Sequence, residues 1–168
     1  KPIFNILGDH FKILLVNARH VKNVPGKKTD QNDSQWLAKL LMAGLLKGSF
    51  IPNMDIRELR DLVRYKTKLT DQVSSEKNRA IKVLEDANIK LSSVLSDIFG
   101  VTGQKILNDI VSGDYQPEKL LHHVHGKVKK SREEIKEAIT GNVTGHHRFM
   151  LQTIMESISK IEDTITKL

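Results

Sequence analysis

Residues 53–88, NMDIRELRDLVRYKTKLTDQVSSEKNRAIKVLEDAN, contain neither glycine nor proline, and this constrains the fold more than any other feature of the chain. Apolar residues recur along the stretch at three- and four-residue steps, the period of one face of an α-helix. Asn53 is a good N-cap residue, and Glu58 and Asp61 place negative charge in the early turns. The pattern predicts one helix of about 33 residues, about 50 Å long at 1.5 Å per residue.

The apolar stripe of this helix has a near-heptad spacing, which is typical of a helix that packs along another helix. It consists of Leu59, Leu62, Leu69, Val73, Ala80, Val83 and Ala87, interrupted by Lys66 and Glu76. The candidate partners within the chain are a last helix over about residues 146–168 and the helix SREEIKEAIT, which Ser131 can cap. Short helices are predicted between them in SSVLSDIFG and GQKILNDIVSG, with glycines at their ends.

The beginning of the chain has a different pattern. The run KILLVN, residues 12–17, predicts a buried strand, and a helix end stopped near Gly8 precedes it. From about Asp33 the period is helical, with Trp36 expected to pack the helix onto a sheet. The other members of that apolar stripe are Leu37, Leu40, Leu41 and Leu45. Because one strand cannot form a sheet, the other strands are expected either to precede the first residue or to be absent. That first residue is lysine rather than methionine, which suggests a piece of a longer protein.

Composition narrows the functional classes. The 168 residues include no cysteine, which excludes disulfides and thiolate metal sites, and no apolar run approaches the length that spans a bilayer. We therefore expect a soluble, intracellular protein. The net charge is +7, and residues 1–86 carry +6 of it, from 16 basic and 10 acidic residues. A concentrated positive field favours a polyanion such as nucleic acid, although a solvated surface without a partner gives the same composition.

Part of this positive charge follows one face of the long helix. Arg57, Arg60, Arg64 and Lys68 are spaced by three, four and four residues, so they form a stripe. Pairing with nearby acids, or simple solvation, is the alternative to nucleic-acid binding. Aromatic residues make up only 5% of the chain, which favours contacts with the phosphate backbone over base stacking.

The segment KKTDQND, residues 27–33, places Asp30 and Asp33 three residues apart just before an apolar run. On the first turn of a helix the two carboxylates would share one side, where a divalent cation would relieve their repulsion. Capping of the helix, with Asp33 near its positive end, explains the same residues. A zinc site at His122, His123 and His125 is disfavoured, because the spacing is wrong for a helix and no cysteine is near. We expect His146 and His147 to be surface or phosphate-facing side chains.

Several segments in order resemble one family. These segments are NARHVKN, the K-T-D-x-x-D block, W-L-A, G-L-L, SFIP and R-E-L-R-x-L-x-R-Y, followed by NRAIKVLEDANIKLSSVLSDIFGVTG and HHRFML. In this order they are similar to segments of the DEDD-type insertion-sequence transposases, the group described as bridge-RNA-guided recombinases. The resemblance extends along essentially the whole chain. It implies a mainly α fragment, in which the C-terminal strand and helix of a truncated RuvC-like (RNase H-like) α/β domain, residues 1–52, carry a long antiparallel coiled-coil-like helical arm, residues 53–168.

The resemblance also implies a function. The last two acids of the family's nuclease site correspond to Asp30 and Asp33, which would bind Mg²⁺ in a full-length enzyme that cuts and rejoins DNA through a serine and a structured guide RNA. No serine of this chain corresponds to that nucleophile, so we expect the fragment alone to be inactive and not to retain the metal. Lys27 and Lys28, with the basic stripe, are the predicted nucleic-acid contacts. A prokaryotic cytoplasmic location and a homo-oligomer formed through the arm are expected. The alternative is a non-catalytic nucleic-acid-binding or oligomerising coiled-coil module.

Overall fold

The computed structural model describes residues 2–8, 10–22, 30–124 and 130–168. These ranges are mainly α-helical and contain no β-strand, and the chain divides into two compact units, residues 1–58 and 59–168. The helices are α1 Pro2–Leu7, α2 Ala18–Lys22, α3 Asp30–Met42, α4 Met54–Asp86, α5 Val101–Ser112, α6 Pro117–Leu120, α7 Arg132–Ile139 and α8 Gly145–Lys167. Within the described ranges, none of these helices combines the length and hydrophobicity that a membrane crossing requires.

The first unit differs from the α/β arrangement predicted for it. The helix before Gly8 is confirmed as α1, but the strand predicted at residues 12–17 is wrong. That segment makes a single antiparallel bridge, Val16 with Gly48, beside a hydrogen bond from the Ser49 N–H to the Leu15 carbonyl. A strand is stabilised by a row of such bonds to a neighbour, whereas this segment makes a single bridge within the described residues of the first unit.

Helix α3 begins at Asp30, three residues earlier than predicted, and ends in a glycine turn. Gly44 has a φ of +69°, and the Leu45 N–H donates to the Leu40 carbonyl at 2.9 Å, the hydrogen bond of a Schellman motif. Leu40 is buried, whereas Trp36 is only half-buried. Leu37, Leu41 and Leu45 are exposed. Of the predicted apolar stripe, only Leu40 therefore reaches a core.

Helix α4 confirms the prediction of one long helix, with 33 residues. The Ile56 N–H donates to the Asn53 side-chain oxygen at 3.2 Å, so Asn53 caps the helix as expected. At the other end Asn88 has a φ of +59°, and the Ile89 N–H donates to the Leu84 carbonyl. The buried residues of α4 are Leu69, Val73, Ala80 and Leu84. Leu84 was absent from the predicted stripe because a straight helix drifts about 20° per heptad, which brings position 84 inward beside the half-buried Val83.

The second unit packs the latter part of α4 with the helices that follow it. Helix α8 has 23 residues and runs antiparallel to α4, as two contacts show: a hydrogen bond between His147 and Asp86 at 2.9 Å, and an ion pair between Glu162 and Lys77 at 3.7 Å. The core between these helices, α5, α6 and α7 includes the fully buried Leu84, Ile89, Leu91, Ile106, Leu107, Ile110, Leu120, Ile139 and Leu151.

Of the shorter helices predicted in the second unit, two are confirmed and one is wrong. Helix α7 has the predicted cap: Ser131 Oγ accepts from the Glu134 N–H, and Glu134 accepts from the Ser131 N–H, which is a capping box. The predicted helix in GQKILNDIVSG is confirmed as part of α5, which ends at Gly113 with a φ of +88°. The helix predicted over residues 92–100 is wrong, since this part of the chain has only a 3₁₀ turn at Leu91–Ser93 followed by irregular backbone.

Candidate metal and nucleic-acid-binding residues

The paired aspartates lie where α3 begins. Asp30 is the first residue of the helix, and Asp33 follows three residues later with an exposed side chain. Positions three apart on a helix lie on one side, which is the placement that a shared cation requires. The structure describes the backbone of Asp30 and not its side chain, so a carboxylate-to-carboxylate geometry is outside the described atoms. Binding of a metal by Asp30 and Asp33 stays a prediction, and so does capping.

Metal-binding clusters elsewhere are absent from the residues that the structure describes. These contain no group of three or more His, Asp or Glu side chains that could hold a metal ion. His123 Nε2 lies 2.7 Å from Asp109 Oδ2, a half-buried pair between the turn at Leu121–His123 and α5. His122 is exposed, and His125 lies outside the described residues.

Arg57 differs from the other members of the predicted basic stripe. Its guanidinium carbon lies 5.0 Å from the centre of the Phe4 ring, a cation–π contact, and Nη1 donates to Asn5 Oδ1 at 3.3 Å. Nη2 contacts the Met54 sulfur at 3.3 Å, and Nε is buried. The guanidinium therefore joins α1 to the beginning of α4 within the first unit. A role for Arg57 in binding nucleic acid stays a prediction, now with these contacts competing against it.

Arg60, Arg64 and Lys68 form what we call the basic row. All three side chains are exposed, and none makes an ion pair within the described ranges. Successive members are four residues apart, about 6 Å along the helix axis at 1.5 Å per residue. At 100° per residue they lie on the side of α4 opposite the buried Leu69 and Val73. The row is thus a strip of positive charge facing solvent. Lys27 and Lys28, the remaining predicted contacts, lie outside the described residues.

His147 is a polar site that sequence reasoning misjudged. It was expected at the surface, but its side chain is buried, with 8% of its area exposed. Nδ1 accepts the Thr144 N–H at 3.1 Å, so Nε2 carries the proton and donates to Asp86 Oδ2 at 2.9 Å. Thr144 Oγ1 accepts from the His147 N–H, which makes His147 the third-position partner of a capping box that normally uses glutamate. The T-x-x-H spacing at the start of a helix was the available signal.

A pocket of about 300 Å³ lies beside α7 in the second unit. Its charged lining is mixed, with Lys90 and Lys130 near Glu134 and Glu137. The hydrogen bond from the Ser131 N–H and the charge of Lys130 hold the pKa of Glu134 below its ordinary value, so this carboxylate stays ionised near neutral pH. A polyanion would meet negative charge here, which makes the basic row the better surface for phosphates.

Comparison with known proteins addresses the same region of the chain. The family model for DEDD-type transposases of the IS110 group, described as "Transposase", matches residues 2–89, just over half of the 168 residues. The match ends at the turn that closes α4 and includes Asp30, Asp33 and the basic row. Comparisons with curated proteins and with solved structures find no match.

Proposed function

The chain belongs to the DEDD-type IS110 transposase family, and from this membership we propose that it contributes two metal ligands and a nucleic-acid-binding helix to an enzyme that cuts and rejoins DNA. The observation that carries the proposal is the basic row, which lies inside the family-matched region and is exposed on the side of α4 that packs against nothing in the second unit's core. The partners proposed are DNA and a structured RNA.

The basic row fits a phosphodiester backbone by spacing and charge. Its members repeat at about 6 Å, the same order as the interval between phosphates along a nucleic-acid strand, and they have no competing carboxylate partner within the described ranges. Exposed arginines and lysines of this kind bind the backbone with little sequence preference. We therefore assign to α4 a positioning role, and not the reading of bases.

The metal-binding part of the proposal rests on Asp30 and Asp33. Hard carboxylate ligands suit Mg²⁺, which polarises a phosphate and activates the attacking oxygen when it is bound in such sites. This chain's own contribution would be to present two carboxylates from the first turn of α3, with further ligands supplied by the rest of a RuvC-like nuclease site. A chain that supplies only these two carboxylates of the metal site is proposed to be inactive by itself.

Salt dependence of binding tests the nucleic-acid assignment. In a triple variant, Arg60→Gln, Arg64→Gln and Lys68→Gln, we expect the slope of log affinity against log salt to fall by about 0.7–0.9 for each phosphate that the protein no longer neutralises. The matched control removes the same charge at three other exposed lysines, Lys105, Lys160 and Lys167, and should change the slope much less. Equal slopes for the two triple variants would assign the effect to net charge and reject the row as a binding surface.

The aspartates are tested in the complete transposase that carries this segment. Asp30→Ala or Asp33→Ala is expected to abolish strand transfer with little effect on RNA binding, and Asp163→Ala, an exposed acid on α8, serves as the control. Near-wild-type recombination by the Asp30 and Asp33 variants would assign both residues to capping. The chain would then be better described as a non-catalytic nucleic-acid-binding module.

A further inference from the structure

The charged group of Arg57 is held by helix α1, in contrast to the exposed side chains of the basic row. Its guanidinium carbon lies 5.0 Å from the centre of the Phe4 ring, and Nη1 donates to Asn5 Oδ1 at 3.3 Å. We call these two contacts the α1 clamp. Arg57 stands three residues before Arg60 on α4, so it lies on the same side of the helix as the basic row. The α1 clamp therefore withholds a cation that the spacing of the row would otherwise present to a phosphate.

The α1 clamp satisfies the guanidinium only in part. The groups that α1 supplies, an aromatic ring and an amide oxygen, are neutral, and Nη2 contacts the Met54 sulfur, a weak acceptor. Arg57 Nε is buried and has no hydrogen-bond acceptor among the described residues, and an unsatisfied buried donor costs free energy. A phosphate offers charge-assisted hydrogen bonds, which are stronger than bonds to neutral acceptors. A nucleic-acid backbone can therefore compete with α1 for this side chain.

Helix α1 itself is loosely attached to the first unit. It has six residues, and a helix of that length has little stability of its own in water. Phe4 is half-buried, whereas the other side chains that the structure describes on α1 are exposed. Segments with few buried contacts open at small cost while the rest of a protein stays folded. Displacement of α1 from Arg57 therefore requires no unfolding of α4.

We propose that α1 is a releasable, autoinhibitory clamp on the basic row. It is closed in the free chain and is displaced when a nucleic-acid backbone binds, so that Arg57 becomes the fourth cation of the row. The inference rests on the proposed function, because it assigns to α1 the regulation of the same binding surface. The apparent Kd then equals the intrinsic Kd divided by the fraction of chains in which the clamp is open.

Weakening the clamp should strengthen binding. We expect the double variant Phe4→Leu with Asn5→Ala to bind a short duplex DNA of mixed sequence about 2–5-fold more tightly, the factor by which an exposed cation–π contact favours the closed state. Unfolding of α1 in this variant would give the same gain, since it also frees Arg57. Ile6→Ala, at a 68% exposed position of α1, is the matched control and should leave the affinity unchanged. Binding by the double variant that is no tighter than that of the unaltered chain would overturn the proposal.

The gain in affinity should depend on Arg57. Arg57→Gln is expected to lower the slope of log affinity against log salt by about 0.7–0.9, because one phosphate contact is lost. In the Arg57→Gln background, Phe4→Leu with Asn5→Ala should then produce no gain, which completes a double-mutant cycle. A gain that persists without Arg57 would show that α1 obstructs binding by another route and would refute the clamp.

The state of the clamp can also be followed without an affinity measurement. The Arg57 Nε–H group is buried, so its NMR signal should be protected from hydrogen exchange in the free chain. We expect this protection to be lost when the duplex DNA is added, and to be absent from the start in the Phe4→Leu, Asn5→Ala variant. Protection that survives saturation with DNA would mean that the clamp stays closed, contrary to the proposal.

Failure of the clamp is distinguishable from failure of the proposed function. If the basic row does not bind phosphates, the triple variant of the row and its control triple variant have equal salt slopes. If only the clamp is wrong, the triple variant of the row still lowers the slope, while Phe4→Leu with Asn5→Ala leaves the affinity unchanged. The first result rejects both proposals, and the second rejects the clamp alone.

Discussion

Replacing Gly141 with alanine should destabilise the second unit, because the backbone there approaches the end of α4 too closely for a side chain. A Cβ at this position would lie 2.2 Å from the Ala87 carbonyl oxygen and 2.8 Å from Ile89 Cγ1. Relieving the first contact requires a displacement of about 1 Å, which breaks the hydrogen bond from the Asn142 N–H to that same carbonyl, now 2.8 Å long. The Tyr115 hydroxyl, which accepts from the Gly141 N–H at 2.6 Å, would lose its geometry as well.

The disrupted interactions set the size of the effect. Two hydrogen bonds at about 1 kcal/mol each, with about 1 kcal/mol for a gap beside the buried Ile89, give about 2–4 kcal/mol. With a urea m-value of about 2 kcal/mol/M, the midpoint should fall by about 1–2 M, as measured by circular dichroism at 222 nm.

The matched control for this change is Gly145→Ala at the first position of α8. No atom lies within 4 Å of the Cβ that this substitution adds. We expect an unchanged or slightly raised midpoint, since alanine favours the helix by up to about 1 kcal/mol. If Gly141→Ala and Gly145→Ala gave the same midpoint, the close approach inferred at Gly141 would be wrong.

Two further predictions concern a cap and a tyrosine. Ser131→Ala removes the capping box with Glu134 and should cost about 1 kcal/mol in urea unfolding, whereas Ser159→Ala on the exposed side of α8 should cost little. Burial raises the pKa of Tyr115, so the folded state favours its neutral form. The stability from this preference is present below the ordinary tyrosine pKa near 10 and is lost as pH rises through the folded value. Absorbance near 295 nm should therefore show Tyr115 ionising at higher pH than it does in urea, and Tyr115→Phe should remove that component while Tyr65→Phe leaves it.

Features with local causes were predictable from the sequence. The 33 residues of α4 lack glycine and proline, so nothing in the stretch interrupts the helix. The Asn53 cap is three residues from the N–H that it accepts, so the cap and its partner lie within one helical turn. The Ser131 cap is equally local. The prediction of a strand at residues 12–17 was wrong for the opposite reason. A strand depends on a neighbouring strand elsewhere in the chain, and the apolar composition of the segment does not show whether one exists.

Among the candidate binding residues, too, local features could be predicted and distant contacts could not. The basic row could be predicted because periodicity alone places Arg60, Arg64 and Lys68 on one side of a helix. The engagement of Arg57 could not, since its partner Asn5 is 52 residues away. His147 was misjudged for the same reason, because the partner of its Nε2 is Asp86, 61 residues earlier. Charge and polarity indicate which side chains can act, and distant contacts decide which of them are free to do so.

Helix α4 carries the basic row and its buried residues on different sides, and their separation has a physical consequence. Arg60 and Arg64 point away from the side that bears Leu69 and Val73, because successive residues turn by about 100° around the axis. Replacing exposed side chains that pack against nothing changes stability by only about 0.5 kcal/mol. Exchanging the basic row for glutamine should therefore lower the salt slope of nucleic-acid binding and leave the urea midpoint nearly unchanged, whereas Leu69→Ala should lower the midpoint and leave the salt slope as it is. A basic-row variant with a much lower midpoint would show that the row contributes to the fold, and the loss of binding could then not be assigned to phosphate contacts.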